Sequence, residues 1–88
     1  GVTRFEITET GQYRLFLHIS SEGDQWAQSA TNLMLNGELV TTAQSNGTEG
    51  KWMRQKANKM HLEQGQYELT LDFIKPGMSI EWIELKKL

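Results

Sequence analysis

The chain has 88 residues, nine basic and eleven acidic side chains, a net charge of −2 and no cysteine. That length makes one domain at most, burying roughly 60–65% of its unfolded surface. Disulfide and thiol chemistry are excluded, mixed and slightly acidic charge argues against a duplex nucleic-acid partner, and no apolar run approaches the roughly 18 residues of a membrane span. The chain opens on Gly1 and carries no signal peptide; it reads as a single domain, residues 1–88, expected to be a fragment of a larger multidomain protein.

Thr3–Thr8 alternates, with Phe5 and Ile7 on one face, and Glu9-Thr10-Gly11 reads as a turn. Gln12–Ser20 is a second strand, with Tyr13, Leu15, Leu17 and Ile19 facing one way and Arg14, Phe16 and His18 the other. Ser20–Asp24 is a loop, and Gln25–Thr31 is ambiguous. Asn32–Leu35 and Glu38–Thr42 flank Asn36-Gly37, a pair that tolerates the positive φ angles of a type I′ hairpin turn. Ala43–Gly50 reads as a flexible polar loop. Lys51–Ala57 and a piece near Met60–Leu62 read as two strand segments.

Gln66–Ile74 alternates cleanly between the turns Gln64-Gly65 and Lys75-Pro76-Gly77, with Tyr67, Leu69, Leu71 and Phe73 on one face. Ile80–Leu85 breaks parity: Ile80 and Trp82 fall on one side, Ile83 and Leu85 on the other. Either a bulge shifts the register or both faces are covered. Six to eight short strands with frequent turns predict an all-β antiparallel sandwich or barrel, and the sandwich is the expected fold. Its expected core is Tyr13, Leu15, Leu17, Leu69, Leu71, Phe73, Ile80 and Trp82.

Three stretches together resemble the carbohydrate-binding modules of families 6 and 35, within the galactose-binding-like β-jelly-roll superfamily. RFEITETGQYRLFLHIS is similar to that family's strand, turn and following strand, carried by Gly11 and Tyr13. MHLEQGQYELTLDF matches its second glycine-turn motif through Leu62, Gly65 and Tyr67. GMSIEWIELKKL is similar to its closing strand. The resemblance implies a jelly-roll-like sandwich and a non-catalytic carbohydrate-binding accessory module of a secreted bacterial carbohydrate-active enzyme. Its partners would be a polysaccharide or oligosaccharide and the parent's catalytic domain. Its place would be extracellular, periplasmic or at the cell surface. The alternative function is structural: a module that packs on a catalytic neighbour and orients it without sugar affinity.

In that family aromatic rings flank a sugar, and an Asn just before the last strand bonds its hydroxyls. By resemblance Trp52 supplies one ring, Trp26 is the candidate for the other, and Ser79 stands where the Asn would be. A hydroxyl there lacks the amide's paired donor and acceptor. The plainer reading is that Trp26 and Trp52 cap the ends of the core, and Trp82 reads as core. The family also often holds a structural calcium ion. Glu22 and Asp24, beside Ser20 and Ser21, would suit its hard oxygen chemistry, although the family's ligands come partly from strands with no counterpart here. Those absent strands imply exposed sheet edges, and so either an edge-strand homodimer or cover from a partner or the parent protein.

His18 and His61 read as surface or hydrogen-bonded residues, with no Cys or acid cluster beside them in sequence to make a metal set. Glu81 and Glu84, three positions apart on a strand, are expected on opposite faces and so do not form a glycosidase carboxylate pair. No nucleophile elbow, zinc-protease or phosphate-loop motif occurs, so an enzyme in its own right is not expected.

Overall fold

The alternation carries through to seven strands in the computed structural model, which describes residues 2–88. They are β1 (Val2–Ile7), β2 (Gly11–Ser21), β3 (Gln28–Leu35), β4 (Glu38–Asn46), β5 (Met53–Leu62), β6 (Gly65–Lys75) and β7 (Met78–Lys87). One sheet has the order β1-β6-β3-β4 and the other β5-β2-β7. Every pairing is antiparallel. The fold is an all-β antiparallel β-sandwich.

Strand β2 is the central rib of the core. Leu15, Leu17 and Ile19 point inward from it onto Leu33 of β3, Ala43 of β4 and Met78 of β7. Leu17 and Leu33 are wholly buried. A second cluster joins Ile7, Tyr13, Leu35 and Leu62 at the other end. There the Tyr13 hydroxyl donates to the Glu9 carbonyl, which fixes the β1–β2 turn. The Asn36-Gly37 hairpin has both residues at positive φ, 51° and 82°, as the type I′ turn demands.

Bulges account for part of where sequence and structure differ. Opposite β5, the register of β2 shifts between Arg14 and Phe16, so Ala57 and Asn58 together face Leu15. The two segments expected between Lys51 and Leu62 are therefore one bulged strand. In β7, His18 pairs with Trp82 while Ile19 pairs with Ile80, leaving Glu81 as the extra residue. That resolves the broken parity: Ile80, Ile83 and Leu85 all pack against the core. Trp82 is turned to the outer face and is 53% exposed, so it is not a core residue. In β6, Ile74 is the extra residue between Phe73 and Lys75.

Phe73 is a second correction. It shares the inner face with Thr31, but β1 pairs with β6 only as far as Thr70. Flanked by β3 on one side and, among the described residues, by no strand on the other, Phe73 is half exposed. Leu69 and Leu71 are likewise only partly buried. The polar stretch Ala43–Gly50 is also more ordered than its composition suggests. β4 runs on to Asn46, because Ala43 opposite Thr31 reaches the core.

The two flanks of the sandwich differ. Between β4 and β5 it is laced shut: Gln55 Nε2 donates to the Gln44 carbonyl at 2.7 Å and Asn58 Nδ2 to the Val40 carbonyl at 3.2 Å. Between the edge strands β1 and β7 it is open. A groove of about 530 Å³ there is lined by Phe5, Leu69, Leu71, Ile80, Trp82 and Leu85.

Candidate functional site

Two loops zip together at one end of the sandwich. The β4–β5 loop lays its amides on the β2–β3 loop. Gly47 donates to the Ala27 carbonyl at 2.9 Å, Thr48 to Ser21 at 3.0 Å, and Glu49 to Gly23 at 2.9 Å. Thr48 Oγ1 adds a contact to the Ser21 amide at 2.9 Å. The approach needs glycine: a Cβ on Gly47 would lie 2.1 Å from the Asp24 carbonyl oxygen and 2.3 Å from that of Gly23. The β6–β7 turn joins the same end, where Glu22 donates to the Gly77 carbonyl at 2.8 Å.

This end carries all three residues singled out from the sequence. Trp26 projects from the β2–β3 loop and is 80% exposed. Its backbone amide is held by Asp24 Oδ1 at 2.9 Å. Trp52 ends the β4–β5 loop and is 46% exposed. Ser79, at the start of β7, is exposed and pairs with Ser20. Neither indole caps the core. The structure brings Trp52 and Ser79 toward β2 from its two sides, and it leaves Trp26 out on the neighbouring loop.

His18 organises the surface between them. Its imidazole lies between two indoles, 5.4 Å from the Trp52 centroid with planes 14° apart and 4.0 Å from the Trp82 centroid with planes 11° apart. His18 Nδ1 meets Glu81 Oε1 at 2.9 Å. Beside this stack the Arg54 guanidinium lies 3.7 Å over the Phe16 ring and bonds Glu84 at 2.8 Å. The outer face of the three-stranded sheet is thus an aromatic ledge edged by charged groups. Sequence parity placed His18 and Phe16 on this face. The β7 bulge that adds Trp82 and Glu81 left only a break in the pattern.

The bulge also overturns the expectation for Glu81 and Glu84. Both reach the outer face, one toward His18 and the other toward Arg54. Among the described residues no three His, Cys, Asp or Glu side chains come together to hold a metal ion. In the β2–β3 loop Asp24 Oδ1 accepts from the Trp26 amide. The ledge offers ring faces beside hydrogen-bonding groups, which is binding chemistry.

No protein-family model and no curated protein sequence matches the chain. Solved structures do. A β-glucosidase from Paenibacillus barengoltzii contains a region 49% identical to 96% of this chain, with a TM-score of 0.89. Two more distant matches share the fold over 98% of the chain. One is a Paenibacillus cycloisomaltooligosaccharide glucanotransferase complexed with cycloisomaltoheptaose, at 12% identity and a TM-score of 0.73. The other is a cycloalternan-forming enzyme from Listeria monocytogenes in complex with a pentasaccharide substrate, at 16% identity and a TM-score of 0.74. The chain spans 9% of the β-glucosidase, 12% of the glucanotransferase and 8% of the cycloalternan-forming enzyme. It is similar to one small domain within each of these much larger carbohydrate-active enzymes.

Proposed function

We propose that the chain is a non-catalytic accessory domain of a carbohydrate-active enzyme and that it binds saccharide at the loop end of its sandwich. Trp52 supplies the stacking face. A pyranose packs its axial C–H groups on the indole and keeps its hydroxyls free. Ser79 offers a hydroxyl on the far side of β2, and Trp26 offers a second ring from the adjoining loop. The observation that carries the reading is the pose of Trp52: it is nearly half exposed and braced on one face by His18. A surface indole held in place by stacking loses little side-chain entropy when a ligand lands on its free face. The two matched enzymes solved with oligosaccharides support the ligand class, and an exported bacterial parent enzyme fits the same reading.

A second reading, a module that docks on its catalytic neighbour without sugar affinity, is favoured by the apolar flank between β1 and β7. Affinity electrophoresis through gels containing soluble glucans, xylans and galactans separates the two. Saccharide binding at the loop end predicts retardation in at least one gel, reduced in Trp52→Ala and in Trp26→Ala. Unretarded migration in every gel would leave the docking reading standing.

A further inference from the structure

The outer face of the four-stranded sheet carries a polar slot that none of the motifs above touches. Its floor is Ala30 on β3. Ala30 faces Gln44 on β4 and Lys75 on β6. One residue earlier in the outward pattern, Gln28 faces Asn46. Neighbouring strands lie about 4.8 Å apart, so Gln44 and Lys75 rise roughly 10 Å from each other across a methyl group. The slot holds about 280 Å³, and the walls are spaced for one sugar ring. The Ile74 bulge sets this geometry, because it shifts the register of β6 by one residue just before Lys75.

The side chains around the slot are unoccupied by the protein. Most amides elsewhere on the strands are engaged: Gln55 and Asn58 lace β5 to β4, Asn32 accepts from Thr42, and Gln66 donates to Glu6. Among the described residues, the carboxamides of Gln28, Gln44 and Asn46 make no hydrogen bond, and the Lys75 ammonium makes no ion pair; only backbone carbonyls of Gln44 and Asn46 take part. No carboxylate lines the slot, although acidic residues outnumber basic ones in the chain. Ala30 is 2% exposed, so the floor lies deep between walls that present hydrogen-bonding groups. Carboxamides offer a donor and an acceptor side by side, which suits vicinal hydroxyls. Trp26 stands two residues before Gln28, at the end of the slot nearest the loops.

We propose that this slot is a second saccharide subsite, taking one neutral pyranose unit over Ala30, with Gln28, Gln44 and Asn46 bonding its hydroxyls and Lys75 donating to a hydroxyl or ring oxygen. The proposal rests on the saccharide-binding reading for its ligand class, but it stands on a different sheet from the Trp52 ledge. The two are therefore testable apart.

The test is nitrogen-15 NMR of the 88-residue chain titrated with cellotetraose and, separately, maltotetraose. The side-chain NH2 signals of Gln28, Gln44 and Asn46 should shift saturably with at least one of them. Gln44→Ala and Lys75→Ala should each weaken that response about fivefold, and Trp52→Ala should leave it in place. If the Trp52 indole signal shifts while the three carboxamides stay still, the slot is not a subsite and the ledge alone binds. If neither set moves with either tetrasaccharide, both the slot and the ledge fail.

Discussion

His18 and Trp82 lie face to face across β2 and β7, their ring centroids 4.0 Å apart and their planes within 11°. The contact exists because one extra residue, Glu81, turns Trp82 outward opposite His18. Trp52 completes the stack from the other side. The middle ring therefore braces both indoles, and its removal should loosen the whole ledge. His18→Ala should cost about 1 kcal/mol, the scale of an aromatic pair. His61→Ala should cost almost nothing, because His61 is half exposed and meets only Gln12 and Glu63 at 3.4 and 3.2 Å. Urea midpoints of the two variants check this; equal midpoints would show that the stack contributes no stability.

The core prediction follows burial. Leu17→Ala should cost about 3 kcal/mol, since it empties a wholly buried site on the central rib. Leu71→Ala should cost clearly less, because Leu71 borders the open flank. Equal losses for the two in denaturant would mean that the flank is closed in solution.

Gly47 makes a sharper test of the loop end. Gly47→Ala forces the β4–β5 loop off the Asp24 and Gly23 carbonyls, and the bonds from Gly47 and Glu49 are lost with it. A loss of about 2 kcal/mol is expected, as for other forced breaks of buried backbone contacts. Hydrogen exchange at the Glu49 and Thr48 amides should accelerate, with β2 core amides little changed. Unaltered exchange at those two amides would show that the loops are not held together as described.

These contrasts show what the sequence could and could not reveal. The two-residue rhythm of Tyr13–Ile19 and Tyr67–Leu71 located β2 and β6, and Asn36-Gly37 located the hairpin. The broken parity of Ile80–Leu85 points to a bulge or to cover on both faces, and the structure has the bulge, but the rhythm does not say which half of the strand turns outward. Parity therefore assigns Trp82 to the core, whereas the bulge turns it outward. Phe73 failed for another reason: parity gives the face of a strand but not whether a neighbour covers that part of it. Trp26 and Trp52 were legible as loop aromatics. The His18 brace was not, since it joins side chains from two strands and a loop far apart in sequence. The amides around Ala30 looked like ordinary surface until the register aligned them.

The open flank also has a measurable consequence. An apolar groove between two unpaired edges should bind the fluorophore 8-anilinonaphthalene-1-sulfonate, and exposed edges favour self-association. Trp82→Lys should cut the dye signal by about half or more and shift sedimentation toward monomer. A wild-type chain that binds no dye and stays monomeric at every concentration would show that this flank is closed in solution.

The most direct test of the account is a tryptophan fluorescence titration with cellotetraose on the wild-type chain and on Trp26→Phe, Trp52→Phe and Trp82→Phe. Saccharide binding at the loop end predicts a saturable change that survives Trp82→Phe, weakens in Trp26→Phe and disappears in Trp52→Phe. A signal that never changes, or one that disappears only in Trp82→Phe, would contradict it.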